Sequence, residues 1–219
     1  MTDALASAGE RAAAAAERAW KLDVFDPPKG SKHSRAPECL GIINGIIRRA
    51  GWGFATPYRG NGAPQWCGMF AADCWRDAGI DTTWFATYWA STYRLLLWAR
   101  YKKFDAKGKQ NPAPANSNDR RLAVNLEAGL VDVTPRAGDI VIVGDGEPDE
   151  GDHITIAMGF DPKTFAIDTI SGNGGGVGPK GNKREGISRR EYAIDAPSGY
   201  RAMWLIRPAF GDLVAEKAV

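Results

Sequence analysis

The sequence predicts an α+β domain, with helices first and an antiparallel sheet after them. Three observations carry this. Apolar residues repeat at intervals of three and four through the first hundred positions, and after Pro135 they alternate with a period of two. The connectors between the later segments are too short for parallel crossovers. Helical segments followed by strand segments make an α+β order, not an alternating parallel sheet. The 26 glycines among 219 residues argue against an all-helical bundle, because each marks a place where a tight turn is cheap.

Taken in order, residues 3–22 are alanine-rich with high helix propensity, and Asp26-Pro27-Pro28 stops them. A second helix is predicted over 37–50, with Leu40, Ile43, Ile46 and Ile47 on one stripe and Gly51 and Gly53 ending it. Tyr58 to Pro64 is a loop by its turn residues. A third helix runs from Trp66 to Gly79, with Cys67, Phe70, Ala71, Cys74, Trp75 and Ala78 facing inward. Residues 86–101 form a fourth, aromatic-rich helix, and 105–118 an exposed loop. Strands follow at 139–143, 153–160, 164–170 and 201–207, with a weaker one near 187–193.

Composition narrows the function classes. Apolar residues at 44% and charged residues at 25% are globular values, and no run of about 18 apolar residues would cross a membrane. A net charge of +2 is too mild for nucleic acid to be the main partner. Three cysteines and two histidines leave little room for a zinc finger or a disulfide framework. The N-terminal alanine stretch is broken by Asp3, Glu10, Arg11, Glu17 and Arg18, so it does not read as a secretory signal. The chain is therefore expected to be made in the cytoplasm.

Cys67 is the most informative position. It lies in the first turn of the third helix, where free backbone N–H groups and the helix dipole favour a thiolate and are expected to lower its pKa. The alternative is a small buried hydrophobe at the start of an apolar stripe. Cys74 and Cys39 read as core. On a helix Cys74 is about 10 Å from Cys67, too far for a disulfide. Of the two histidines, His33 sits in a polar turn, whereas His153 opens a strand beside an acidic loop. If that strand pairs with the next across Asp161–Lys163, His153 falls opposite Ser171, give or take one residue. Ser171 and Asn173 are then the polar groups within reach of the imidazole, and Asp168 is too far. A Cys-His-Asn set is chemically sufficient, the amide holding the imidazole toward the thiol.

Four blocks, GAPQWCGMFAADCWRDAGI, PRAGDIVIV, DHITIAMGF and DTISGN, in that order, resemble the signature blocks of CHAP domains. These belong to the wider NlpC/P60-like group of papain-fold cysteine amidases and endopeptidases that cut peptidoglycan. GISRREY resembles the strand that follows, and the resemblance covers roughly residues 31–208. It implies a papain-like fold, an extension over 1–30, a catalytic domain over 31–210 with an insertion near 105–118, and a tail over 211–219. It also implies Cys67 as nucleophile, His153 as base and Asn173 as the third member. Ser171 departs from the pattern, standing where many relatives carry glutamate. Tyr58, Gln65 or the backbone N–H of Cys67 would supply the oxyanion donor.

The implied activity is hydrolysis of an amide in peptidoglycan, by an N-acetylmuramoyl-L-alanine amidase or a stem-peptide or cross-bridge endopeptidase. A phage lysin or an antibacterial effector, reaching the wall by release or secretion, fits that activity. An effector would have an immunity protein as partner. No cofactor is required, although the acidic stretch Asp145–Asp152 has oxygen ligands that suit calcium. Two rival expectations remain: a degenerate wall-binding domain, and a cysteine peptidase acting on a protein.

Overall fold

The computed structural model describes residues 2–50, 57–60, 65–83, 89, 91–101, 122–126, 133–145, 152–194 and 199–208. Among the described residues four helices come first: α1 (Thr2–Lys21), α2 (Ala36–Arg49), α3 (Cys67–Asp77) and α4 (Thr92–Tyr101). Six strands follow: β1 (Leu122–Asn125), β2 (Ile140–Gly144), β3 (His153–Asp161), β4 (Ala166–Val177), β5 (Lys183–Ala193) and β6 (Arg201–Arg207). They form one antiparallel sheet in the order β1-β6-β2-β3-β4-β5, so the expected α+β architecture is present. No described helix is long and apolar enough to cross a membrane.

The alternation along the strands sorts two cores. Ile140, Ile142, Ile154, Ile156, Ile170 and Ile187 pack with the helices. Val141, Val143, Ala157, Ile167 and Leu205 form a second cluster with Tyr192 and Leu126. Strand β2 is central and buried at all five positions, which is why IVIVG reads as a continuous apolar run.

Helix α1, the expected N-terminal extension, packs into the common core. Ala8, Ala12, Ala15 and Ala16 are buried in the same cluster as α2, α3 and the sheet, and alanine's small side chain lets α1 lie close to its neighbours. Arg11 donates from Nε and Nη2 to the Ala78 carbonyl at 3.2 and 3.0 Å, tying α1 to the end of α3. The segment after α1 continues the attachment. Val24 accepts from the Ile187 N–H, Asp26 donates to the Glu185 carbonyl, and Phe25 bridges Gly186, all on the outer side of β5. Asp23, with φ of 58°, pairs with Arg35, Lys180 and Arg184. Burial works against its charge, but these cations more than offset it and lower its pKa.

Several boundaries differ from the sequence expectation. Helix α4 begins at Thr92, not 86, because the Ser91 hydroxyl caps it by accepting the Arg94 N–H at 3.2 Å. Strand β1 was not expected; its four residues are too few for a clear period, and pairing with β6 sets it. Strand β4 runs on through the glycine-rich segment to Val177, held by pairing with β5 despite poor strand propensity. The loop expected over 105–118 and the tail over 211–219 lie outside the described residues.

Candidate active site

Close packing of α3 on the sheet positions the site. The helix begins at Cys67, preceded by Trp66, which gives no side-chain cap. Its first N–H groups therefore remain directed at their surroundings. Two glycines set the approach. A Cβ on Gly68 would lie 1.9 Å from the Trp89 carbonyl oxygen and 2.8 Å from Ile154 Cδ1. One on Gly172 would lie 2.3 Å from the Trp66 ring and 2.8 Å from Phe70 Cβ. Without side chains at these positions, the start of α3 settles against β3 and β4. Trp66 is fully buried as a result and does not line an open cleft.

The Cys67 thiol is 2% exposed. Burial pushes its pKa up, while the backbone N–H groups of Ile154, Gly68 and Cys67 itself stabilise the thiolate and recover part of the shift. The expected lowering at a helix N-terminus is present as a contribution, but desolvation outweighs it. Because Ile154 follows His153, the thiol is brought to the first residues of β3.

His153 opens β3 as expected. Burial, with help from the Arg190 guanidinium, lowers its pKa to about 4, so the imidazole is neutral at neutral pH. Its Nε2 is buried and finds no hydrogen-bond partner among the described residues. The space beside it is polar. A Cβ on Gly174 would lie 2.5 Å from Ser171 Oγ, 2.9 Å from His153 Nε2 and 3.2 Å from Ser188 Oγ, so three polar atoms converge on one point.

The register is not the expected one. Ile156 pairs with Ile170, where the expected hairpin sets it against Asp168. The turn is displaced because β3 continues through Asp161 and β4 starts at Ala166, and a bulge between Ala157 and Gly159 shifts the pairing again. Ser171 Oγ and His153 Nε2 both border the space beside Gly174 without a hydrogen bond between them, and Ser171 pairs with Ser188 across β4 and β5. Asn173 sits in the β4 bulge between Ser171 and Gly174, with φ of 54°.

A cleft of about 280 Å³ opens here, with Gln65, His153, Asn173 and Gly174 on one part of its wall. Gly175, Arg190, Tyr192, Tyr200 and Asp152 complete it. Cys67 does not line this cleft. Of the expected oxyanion donors, Gln65 faces it, whereas Tyr58 donates its hydroxyl to buried Asp26 at 2.6 Å. Asp168 is held by Arg189, whose Nε donates to both carboxylate oxygens at 2.9 and 3.0 Å. Cys39 and Cys74 are buried, and His33 is exposed, with Nδ1 accepting the Arg35 N–H. Residues 146–151, the middle of the acidic stretch, lie outside the described residues.

Sequence reasoning missed Ser188, Arg190, Tyr192 and Tyr200. The first three follow from pairing β5 beside β4, which the weak strand signal near 187–193 left undeveloped. Compared with family models, curated proteins and solved structures, the chain matches none.

Proposed function

We propose that the chain is a cysteine hydrolase of peptidoglycan, cleaving the sugar–peptide amide or a bond of the stem peptide or cross-bridge, on a papain-like scaffold. The observation that carries this reading is the thiol of Cys67 facing the Ile154 N–H, the backbone group that follows His153, whose buried Nε2 is unpartnered among the described residues. The substrate class rests on the ordered sequence blocks that resemble CHAP domains.

Both reacting groups are neutral at rest, since burial raises the thiol and lowers the imidazole. His153 thus works as a general base at the moment of attack, and not as half of a standing ion pair. It takes the Cys67 proton as the sulfur bonds to the amide carbonyl carbon. The oxyanion so formed meets the Cys67 backbone N–H and the Gln65 side chain. Collapse breaks the C–N bond, and the imidazolium gives its proton to the departing amine. Water, deprotonated by His153, then releases the acyl group from sulfur and restores the thiol. Asn173 or Ser171 orients the ring, and the larger loss between Asn173→Ala and Ser171→Ala names which. A phage lysin and an antibacterial effector with a cognate immunity protein both fit this chemistry.

Purified peptidoglycan incubated with the native chain and with Cys67→Ala, resolved by mass spectrometry, tests the proposal. Defined muropeptides from the native chain alone are expected, and their masses name the bond. No products from either, under reducing conditions and with calcium supplied, would overturn it. A second reading, a wall-binding domain that does not cut, is favoured by the burial of Cys67 away from the cleft and by Ser171. It predicts wall binding that Cys67→Ala leaves unchanged.

A further inference from the structure

A cavity larger than the cleft at His153 lies beside it. A groove of about 1090 Å³ lies between the end of α1 and the outer half of the β4–β5 hairpin, and the two share Gly175 and Arg190 on their walls. We infer that this groove holds the glycan strand of the same substrate whose amide bond reaches His153, an inference that rests on the hydrolase reading above.

Size comes first. Pockets for small molecules span about 300–1,000 Å³. This groove exceeds that range and shares two wall residues with a second cleft, which suits a polymer rather than a small molecule. Charge comes next. Arg189 is held by Asp168 and Arg184 by Asp23, leaving Lys183 and Arg190 against Glu185 and Glu191 on the walls. The balance favours a neutral chain over a nucleic acid or an acidic polymer. Surface chemistry points the same way. Trp20 presents an indole whose Nε1 is fixed by donation to the Val177 carbonyl at 3.0 Å, with the Arg189 guanidinium 5.6 Å from its ring. An apolar ring beside forked donors and carboxylates is the combination that packs on sugar rings while hydrogen-bonding their hydroxyls.

A further observation is independent of the cavity. Arg184 is 7% exposed along its side chain, and its Nε is buried with no partner among the described residues. That nitrogen lies 2.8 Å from where a Gly178 Cβ would stand, so glycine at this groove position leaves space beside the donor. An acceptor-rich ligand, such as a chain of hydroxyls and acetamido carbonyls, matches it.

Calorimetric titration of the full chain with chitotetraose, a neutral β-linked N-acetylglucosamine tetramer, tests the inference without any cleavage step. Saturable binding is expected. Val177→Arg, at a position 41% exposed in the groove, should weaken it at least tenfold with the melting temperature unchanged. If that variant melts early, Lys183→Glu at an exposed position applies the same test. No binding by the native chain, or native-like binding by the folded variant, overturns the assignment. So does a stem peptide that binds in the saccharide's place and is lost with Val177→Arg. Saccharide binding by a chain that releases nothing from peptidoglycan would sink the hydrolase reading and keep the groove. Release without saccharide binding would do the reverse.

Discussion

The two cysteines of α3 share a helix, a stripe and near-complete burial, yet they meet different electrostatics. At the N-terminal end, three backbone N–H groups face the Cys67 sulfur and hold back the rise that burial causes. Toward the C-terminal end, burial at Cys74 is reinforced by the Asp73 and Asp77 carboxylates, and its pKa lies well above the ordinary value. Seven residues along one helix therefore separate a thiol whose anion has donors waiting from one beside two carboxylates, whose repulsion Arg18 and Arg49 only partly offset. Burial alone does not distinguish a reactive cysteine from a structural one; the polarity of the groups around the sulfur does.

The largest expected effect tests this contrast directly. Cys67→Ala should lower product release by about a thousandfold or more, the scale seen when a nucleophile is removed. Cys74→Ala should retain activity and lose only about 1 kcal/mol in denaturant melts, as for deletion of one buried heavy atom. Equal losses of activity in the two variants would erase the distinction.

The imidazole supplies the next effect. His153 has a folded pKa of about 4 against an unfolded value near 6.5, so the unfolded state binds more protons between these limits. The associated stability, on the order of 3 kcal/mol, is complete above pH of about 6.5 and is lost as pH falls through about 4. His153→Gln should flatten that slope in denaturant melts taken across pH. Arg190→Gln removes the smaller, charge-based cause and should raise the His153 pKa partway, read by NMR titration.

Two adjacent glycines give the smallest effect and the sharpest local contrast. Gly174→Ala forces a methyl between Ser171 Oγ, His153 Nε2 and Ser188 Oγ, and should cost about 1–3 kcal/mol. Gly175→Ala meets nothing within 4 Å and should leave the melting temperature close to native. The comparison fails if the two variants melt together.

The fold was legible where the pattern was periodic. The isoleucines of α2, the IVIVG strand and the HITIAMGF strand each show their buried face in sequence, and all form as expected. Cys67 and His153 were legible because a thiol and an imidazole are scarce in this chain. What the sequence hid depends on three-dimensional pairing. The turn after β3 displaces the pairing, a bulge at Ala157–Gly159 shifts it again, and nothing in the residues announces either. The net rise of the Cys67 pKa was equally hidden. Helix position reveals the dipole, but the depth of burial comes from Gly68 and Gly172 admitting the helix to the sheet. Strand β1 and the outer half of β4 take their form from partners across the sheet.

Strand β5 ends the sheet, and Val24 to Asp26 lie along it. An uncovered terminal strand offers a row of free donors and acceptors to any neighbouring chain. The link between α1 and α2 thus guards against chain-to-chain strand addition as well as tethering a helix. A chain cut back past Asp26 would uncover the edge at Glu185–Ile187 together with the core face that α1 covers, and concentration-dependent self-association is the expected result.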